Sequence, residues 1–420
     1  MDRRDRQVLT DMFDAAVRAA APLEALGPVL PERPKGRTVV IGAGKGSAQM
    51  AAALEALWDG PLEGVVVTRY GFGAECRDIR ILEASHPVPD AAGEEASAAL
   101  LRAVEGLGAD DLVIALISGG GSALLAAPIE GLMLDDEIAL NRKLLASGAP
   151  IGAMNAIRKM LSRVKGGRLA KAAAPARVIS YVVSDVPGDD PAEVASGPTV
   201  PGPSGRDEAR AAVRGYGITL PERLNDALER AEVPPKPDDS AFARNEVHVI
   251  ASAAKSLDAA AEVARAAGFS PAILSDAIEG EARDVGRVHA AMAREVCTRA
   301  RPFAPPVAIL SGGETTVTLR GDGGRGGRNS EFLLAFALAI EGLEGIAAMA
   351  ADTDGVDGSE DNAGAFADGQ SAARMRAAGI DPAQALAGND AWGAFDAIGD
   401  LFVPGPTGTN VNDLRVVLIR

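Results

Sequence analysis

The chain has 420 residues, with 42 Lys and Arg against 58 Asp and Glu (net charge −16), and is 47% hydrophobic and 24% charged. This composition fits a folded protein of two or three domains and excludes disordered, collagen-like and low-complexity classes. The acidic excess leaves no electrostatic footprint for nucleic acid or an anionic bilayer. No apolar run approaches the roughly 18 residues of a membrane helix, so a cytoplasmic protein is expected.

Short β-branched runs alternate with Ala/Leu-rich amphipathic stretches, which predicts an α/β protein with a parallel sheet covered by helices. Residues 8–26 read as an opening helix. Thr38 to Ile41 is a buried strand that runs into Gly42-Ala43-Gly44-Lys45-Gly46-Ser47 and a helix through Leu57. Further strands are expected at 64–67, 79–82, 112–117 and 178–183, with helices around 91–105, 135–146 and 153–172, and a long loop over 186–205. After weak helices near 206–214 and 221–231, Val233-Pro234-Pro235-Lys236-Pro237-Asp238-Asp239 has the composition of a stiff linker. It predicts domains at 1–238 and 239–420. The second half repeats the pattern: strands at 247–251, 272–274, 307–310, 346–349 and 414–419, an alternating stretch at 315–319, and helices at 253–267, 281–299, 329–341, 369–378 and 390–397.

Glycine clusters follow predicted strands at Gly42 to Gly46, at Ser118-Gly119-Gly120-Gly121-Ser122 and at Ser311-Gly312-Gly313-Glu314, and precede a helix at Gly323 to Arg328. Without Cβ atoms the backbone N–H groups can approach an anion, and a helix N-terminus adds a favourable dipole. The first loop invites a dinucleotide reading. Yet Gly42-x-Gly44-x-x-Ser47 lacks the third small residue, and the second strand ends in Thr68-Arg69, where an acid would bind a ribose. The spacing is not that of a P-loop either. Lys45, one of eight lysines among the 42 cationic residues, sits at a strand end among glycines, either to meet an anion or as a solvated surface lysine, and the strand end favours the anion.

Asn155, Arg158, Lys159, Ser162 and Lys165 recur at helical spacing and run into Gly166-Gly167, a cationic strip that is either a solvated face or an anion site. Acidic turns follow two strands, Ser184-Asp185-Val186-Pro187-Gly188-Asp189-Asp190 and Asp352-Thr353-Asp354-Gly355-Val356-Asp357-Gly358. Hard oxygen ligands on turns suit Mg²⁺, whereas Asx-turn chemistry explains Asp-Gly pairs without metal. The second turn lacks the final glutamate of a calcium loop. Gly405 to Asp413 is dense in hydrogen-bonding side chains, as a nucleotide-binding loop or a plain loop would be. Two cysteines and three scattered histidines cannot build a disulfide framework, a His-rich zinc site or a Ser-His-Asp hydrolase.

Together with Ser85-His86-Pro87-Val88-Pro89-Asp90, Ser196-Gly197-Pro198-Thr199, Gly326-Gly327-Arg328-Asn329 and Gly408-Thr409-Asn410-Val411-Asn412-Asp413, these segments resemble the glycerate 2-kinase family, whose C-terminal half is the MOFRL domain and whose members often carry the name hydroxypyruvate reductase. The resemblance spans nearly the whole chain. It implies an N-terminal Rossmann-like domain with a mainly parallel sheet, a C-terminal MOFRL-type α/β domain, and a cleft between them where ATP phosphorylates D-glycerate. Lys45 and Arg328 match residues the family uses in catalysis; Ser330 departs from a Gly-Gly-Arg-Asn-Gln-Glu pattern. On this reading Asp189, together with Asp185, holds Mg²⁺, and Asp189 or Asp354 orients the attacking hydroxyl. Gly44, His86, Asp354 and Arg328 meet glycerate. Ser118, Gly119, Gly120, Gly121, Ser122, Asn155, Lys165, Gly313, Glu314 and Asn410 meet the nucleotide. ATP and D-glycerate are the expected partners and a homodimer the candidate assembly, with no nucleic acid or membrane. An NAD(P)H-dependent hydroxypyruvate reductase and a non-catalytic nucleotide or sugar-acid binder remain the alternatives.

Overall fold

Continuous apolar runs become strands buried on both faces, as a helix-covered parallel sheet requires. The computed structural model describes residues 1–319 and 323–420. Its first sheet contains β1 (Thr38–Ala43), β2 (Glu63–Arg69), β3 (Ile79–Ala84), β4 (Leu112–Ser118), β5 (Arg177–Val183) and β6 (Glu246–Ala251), in the order β3-β2-β1-β4-β5-β6. The pairs β1–β2, β1–β4, β2–β3 and β4–β5 are parallel. Every residue of β1 and β4 is buried.

The second sheet is mixed. Its strands are drawn from β7 (Ser270–Ser275), β8 (Gly280–Glu281), β9 (Val307–Ser311), β10 (Thr315–Thr316), β11 (Ile346–Asp352), β12 (Gly364–Asp368), β13 (Leu401–Phe402) and β14 (Asp413–Ile419), in the order β13-β12-β11-β14-β9-β7, while β8 and β10 pair separately. Only β7–β9 is parallel within it. Side chains alternate between two cores. Ile346, Ala348 and Ala350 face helices Ala282–Arg299 and Arg328–Ala339, whereas Ala347, Met349 and Ala351 face helices Arg3–Ala19 and Ala253–Ala266.

The chain divides into an N-terminal unit, residues 22–250, and a C-terminal unit, residues 1–21 with 251–420. The boundary expected at 238/239 therefore moves, for two reasons. The proline-rich segment packs on the first unit, with Pro234 and Pro235 buried, and β6 beyond it still joins the first sheet. The opening helix buries Leu9, Met12, Phe13 and Ala16 against the second sheet, a partner that no local pattern announces. Strands β12 and β13 were not expected either; Gly364-Ala365-Phe366-Ala367-Asp368 has too few β-branched residues to stand out. Among the described residues no helix is long and apolar enough to cross a membrane.

The cationic strip from Asn155 to Lys165, on the helix expected over 153–172, is not presented to solvent. The segment breaks into helices Ile151–Met160 and Arg168–Ala172, and Lys159 and Lys165 are each only 1% exposed. Lys165 Nζ donates to Glu137 Oε1 at 2.7 Å and to the Leu125 carbonyl at 2.8 Å, and Lys159 pairs with Glu193 at 2.7 Å. A nucleotide-binding role for Lys165 is thus corrected to an internal one, because its ammonium is already neutralised inside the unit. Glu137→Ala would strand that charge and should cost about 3–5 kcal/mol in denaturant unfolding, with Glu137→Leu/Lys165→Met recovering most of it. A midpoint unchanged by Glu137→Ala would show the pair to be solvated.

Candidate active site

In an open parallel sheet, loops leaving the carboxyl ends of the strands on either side of a reversal in strand order diverge and leave a crevice. Here the reversal lies between β1 and β4, and the loops leaving them are Gly44-Lys45-Gly46 and Gly119-Gly120-Gly121. Backbone bonds lock the two together. Lys45 N–H donates to the Gly119 carbonyl at 2.9 Å, and Gly46 N–H donates to Ser118 Oγ at 3.0 Å. Thr68 Oγ1, from β2, donates to the Lys45 carbonyl at 3.2 Å.

The Lys45 side chain lies beside Gly120. A Cβ on Gly120, which sits at φ 77°, would come within 3.1 Å of both Lys45 Cγ and His86 Nε2, and a Cβ on Gly119 would run into the Asp185 carboxylate. Five expected site residues thus gather at one set of strand ends, with Gly44 and Ser118 beneath them. The half-buried Lys45 ammonium has no ion-pair partner among the described residues. Burial, aided by the charges of Lys45 and Arg69, lowers the His86 pKa to about 4, which leaves this imidazole neutral near pH 7.

Behind the second loop stands a chain of hydroxyls and amides. Ser122 Oγ and Ser196 Oγ are 2.7 Å apart, Ser196 Oγ donates to Asn155 Oδ1 at 2.8 Å, and Asn155 Nδ2 donates to Glu193 Oε2 at 2.8 Å. Asn155 is only 1% exposed, so it orients Ser196 rather than facing a ligand. Ala195, Ser196 and Gly197 are consecutive left-handed residues at φ 52°, 61° and 58°, strain of the kind that collects at functional sites. They are held by Gly166 N–H and Gly167 N–H, which donate to the Ser196 and Gly197 carbonyls at 3.0 and 2.7 Å. The glycine pair after the cationic segment therefore clasps a strained turn. Asp189, at φ 55° and half-buried, ends the turn whose N–H returns to the Val186 carbonyl.

The C-terminal unit builds a second constellation at the start of helix Arg328–Ala339. Arg328 Nε donates to both Asp413 oxygens at 2.9 and 3.1 Å, Nη2 to Asp352 Oδ2 at 2.6 Å, and Nη1 to Glu314 Oε1 at 2.7 Å. Asp352 and Asp413 face one another across β11 and β14. Arg415, 1% exposed, pairs with Asp413 at 2.5 Å and donates to the Gly312 carbonyl at 3.2 Å. Burial works against the Arg328 charge, but Asp413, Asp352 and Glu314 outweigh it and hold the guanidinium protonated. Burial, reinforced by Asp413 and relieved in part by Arg328, raises Asp352 well above the usual carboxylate range.

Arg328, Gly313 and Glu314 are expected site residues, whereas Asp352, Asp413 and Arg415, which with Glu314 build the carboxylate clasp and its support, are not. Asp352 and Asp413 stood in quoted segments, and their pairing depends on a strand register that brings residues 61 positions apart face to face. Glu314, expected to meet nucleotide, meets Arg328, and the Gly313 carbonyl accepts from Asp413 N–H at 3.2 Å. Asp357 caps the helix by accepting from Asn329 N–H, Ser330 N–H and Ser330 Oγ at 2.9, 2.8 and 2.7 Å. Ser330 thereby belongs to the cap that aims Arg328. Asp354 accepts from Val356 N–H at 2.8 Å, an Asx turn, and Asn410 Oδ1 accepts from Asn412 N–H at 3.2 Å. Among the described residues no group of three or more His, Cys, Asp and Glu could hold a metal; the two carboxylates of Asp185 and Asp189 fall below that number.

Residues 8–229 match the "Domain of unknown function (DUF4147)" and residues 307–413 match the "MOFRL family". The chain is 53% identical over 416 residues to a "putative hydroxypyruvate reductase" of Agrobacterium vitis, covering 99% of this chain and 94% of that protein. It is 39% identical to the "D-glycerate 2-kinase" of Thermotoga maritima, covering 99% and 98%. The crystal structure of the Thermotoga maritima glycerate kinase superposes with a TM-score of 0.89 at 38% identity, over 99% of each chain. On matches of this identity and coverage, carried by both halves of the chain, the protein belongs to the glycerate 2-kinase family, with a MOFRL domain in its C-terminal unit.

Proposed function

We propose that this protein transfers the γ-phosphoryl group of ATP to a hydroxyl of D-glycerate, the 2-hydroxyl, releasing ADP. One observation carries the reading: Lys45, whose ammonium has no ion-pair partner among the described residues, stands where strand order reverses, beside the Gly119-Gly120-Gly121 turn. Phosphoryl transfer asks a protein for positioning and for neutralisation of charge on the moving group. The glycine loops from Ser118 to Ser122 would cradle phosphates, and Lys45 would neutralise the transferred group. Arg328 would take the glycerate carboxylate or the phosphoryl oxygens through Nη1, exchanging the exposed Glu314 for the anion while Asp352 and Asp413 keep the guanidinium aimed.

Asp185 and Asp189 lie on one turn after β5, and Asp185 reaches the Gly119 backbone. Two carboxylates joined by substrate phosphates are a donor set that suits Mg²⁺. When bound there, the ion would neutralise charge on the phosphates. Asp189 or Asp354 would accept the proton of the attacking hydroxyl as the new O–P bond forms and the bond to the ADP oxygen breaks. Neutral His86 would serve as a hydrogen-bonding group to substrate.

The reductase name of the Agrobacterium relative points to a second reading. Against it, β2 ends in Thr68, bonded to the Lys45 carbonyl, and Arg69, stacked at 4.4 Å on Phe72, so no acid there meets a ribose. Incubation with glycerate and either ATP/Mg²⁺ or NAD(P)⁺ separates the readings: ADP is expected, and reduced nicotinamide without ADP would replace the kinase by the reductase.

Lys45→Ala should lower kcat by about 100-fold or more if the ammonium stabilises transition-state charge. If Lys45 and Arg328 act on one phosphoryl group, the losses from Lys45→Ala and Arg328→Gln should be strongly non-additive in a double-mutant cycle; simple additivity would assign them to separate events. For His86, a pKa near 4 means that the neutral ring is present throughout the range above pH 5. The kcat/KM profile should therefore show no inflection near pH 6.5 that His86→Gln removes, and its appearance would overturn the neutral assignment.

A further inference from the structure

Away from the glycine loops, the N-terminal unit carries a cavity of about 740 Å³ lined by four arginines, Arg163, Arg168, Arg223 and Arg230, and two glutamates, Glu130 and Glu232. None of the strand-end loop residues lines it. In a chain of net charge −16, four guanidiniums against two carboxylates leave the lining of this hollow with a positive excess. The hollow lies between the Ile129–Leu132 turn and the helix Glu222–Arg230.

The arginines are only partly occupied by the fold. Arg163 uses Nε on the Pro128 carbonyl at 3.0 Å, and neither terminal nitrogen is committed to a partner among the described residues. Arg168 spends Nη1 and Nη2 on the Lys159 and Glu232 carbonyls, both at 2.5 Å. Arg223 holds the Gly131 carbonyl at 2.7 Å and lies 3.4 Å from Asp136. Among the described residues, the Arg230 guanidinium bonds and pairs only with Asp226 of its own helix, the carbonyl at 3.2 Å and the carboxylate at 3.8 Å. Carbonyls orient Arg163 and Arg168 without cancelling their charge, and neither has a carboxylate partner in an ion pair among the described residues. Planar guanidinium donors that line one hollow of metabolite size are suited to bidentate capture of phosphate oxygens.

We propose that this cavity binds a small, multiply charged phosphate compound, separately from the catalytic loops, through the terminal nitrogens of Arg163 and Arg230, with Arg168 and Arg223 fixing the walls. Bound there, such an anion would tie the Ile129–Leu132 turn to the helix Glu222–Arg230. Equilibrium dialysis with labelled inorganic pyrophosphate tests it on three full-length proteins. Wild type should hold one more pyrophosphate per chain than Arg163→Gln/Arg230→Gln, or hold it about tenfold more tightly. Arg163→Lys/Arg230→Lys should keep most of that binding, since it keeps the charge. Lys45→Ala should lose only the catalytic-loop component, and the Gln variant should keep wild-type kcat and KM for glycerate. Equal stoichiometry and affinity in wild type and the Gln variant would overturn the proposal, as would equal loss in the Lys and Gln variants, which would signal a packing defect rather than a lost anion contact.

Discussion

The locking of the β1 loop onto the β4 loop governs the N-terminal unit's chemistry. Lys45 N–H on the Gly119 carbonyl and Gly46 N–H on Ser118 Oγ tie two turns that strand order alone would let splay apart. Glycine is needed at these turns because Lys45, His86 and Asp185 all crowd the Gly119–Gly120 backbone. The lock leaves the lysine backbone fixed while its ammonium has no ion-pair partner among the described residues. An uncompensated half-buried cation is unfavourable in an isolated fold, and the proposed polyanion is what would compensate it. The buried lysines of the same unit, Lys159 and Lys165, show the opposite solution, each closed by a glutamate.

Arg328 is managed differently. Three carboxylates surround it, two of them almost fully buried, and desolvation of so many charges is repaid only by dense hydrogen bonding. The arrangement makes sense as pre-organisation. Asp413 and Asp352 hold Nε and Nη2 in place, while the partner at Nη1, Glu314, is the exposed and exchangeable one. The Asp357 cap, with Ser330 in it, sets the helix start from which the guanidinium projects.

Much of the candidate site is legible in the amino-acid sequence. Lys45, His86, the Ser118 to Ser122 loop and Asp185 are short-range features, each a strand end followed by a turn, and the order of such ends in a parallel sheet brings them together. The failures share one cause. Lys165 and Asn155 looked like an open cationic face because helical spacing says which residues share a face and nothing about what covers it; Glu137 and Glu193 cover it here. Asp352, Asp413 and Arg415 were passed over because their meaning is their mutual pairing across β11, β14 and the Gly312–Gly313 turn.

By itself, the amino-acid pattern determined the α/β class, most strand positions and the glycine turns, because these follow from burial periodicity and from local steric limits on residues without Cβ. Tertiary structure alone decided where the chain divides, since Arg3–Ala19 finds its apolar partner in helix Ala253–Ala266 and the second sheet, and β6 returns to the first sheet across a proline-rich segment. It likewise decided which charges are spent inside the fold and which face outward. Desolvation and pairing depend on neighbours distant in sequence, and periodicity carries no record of them.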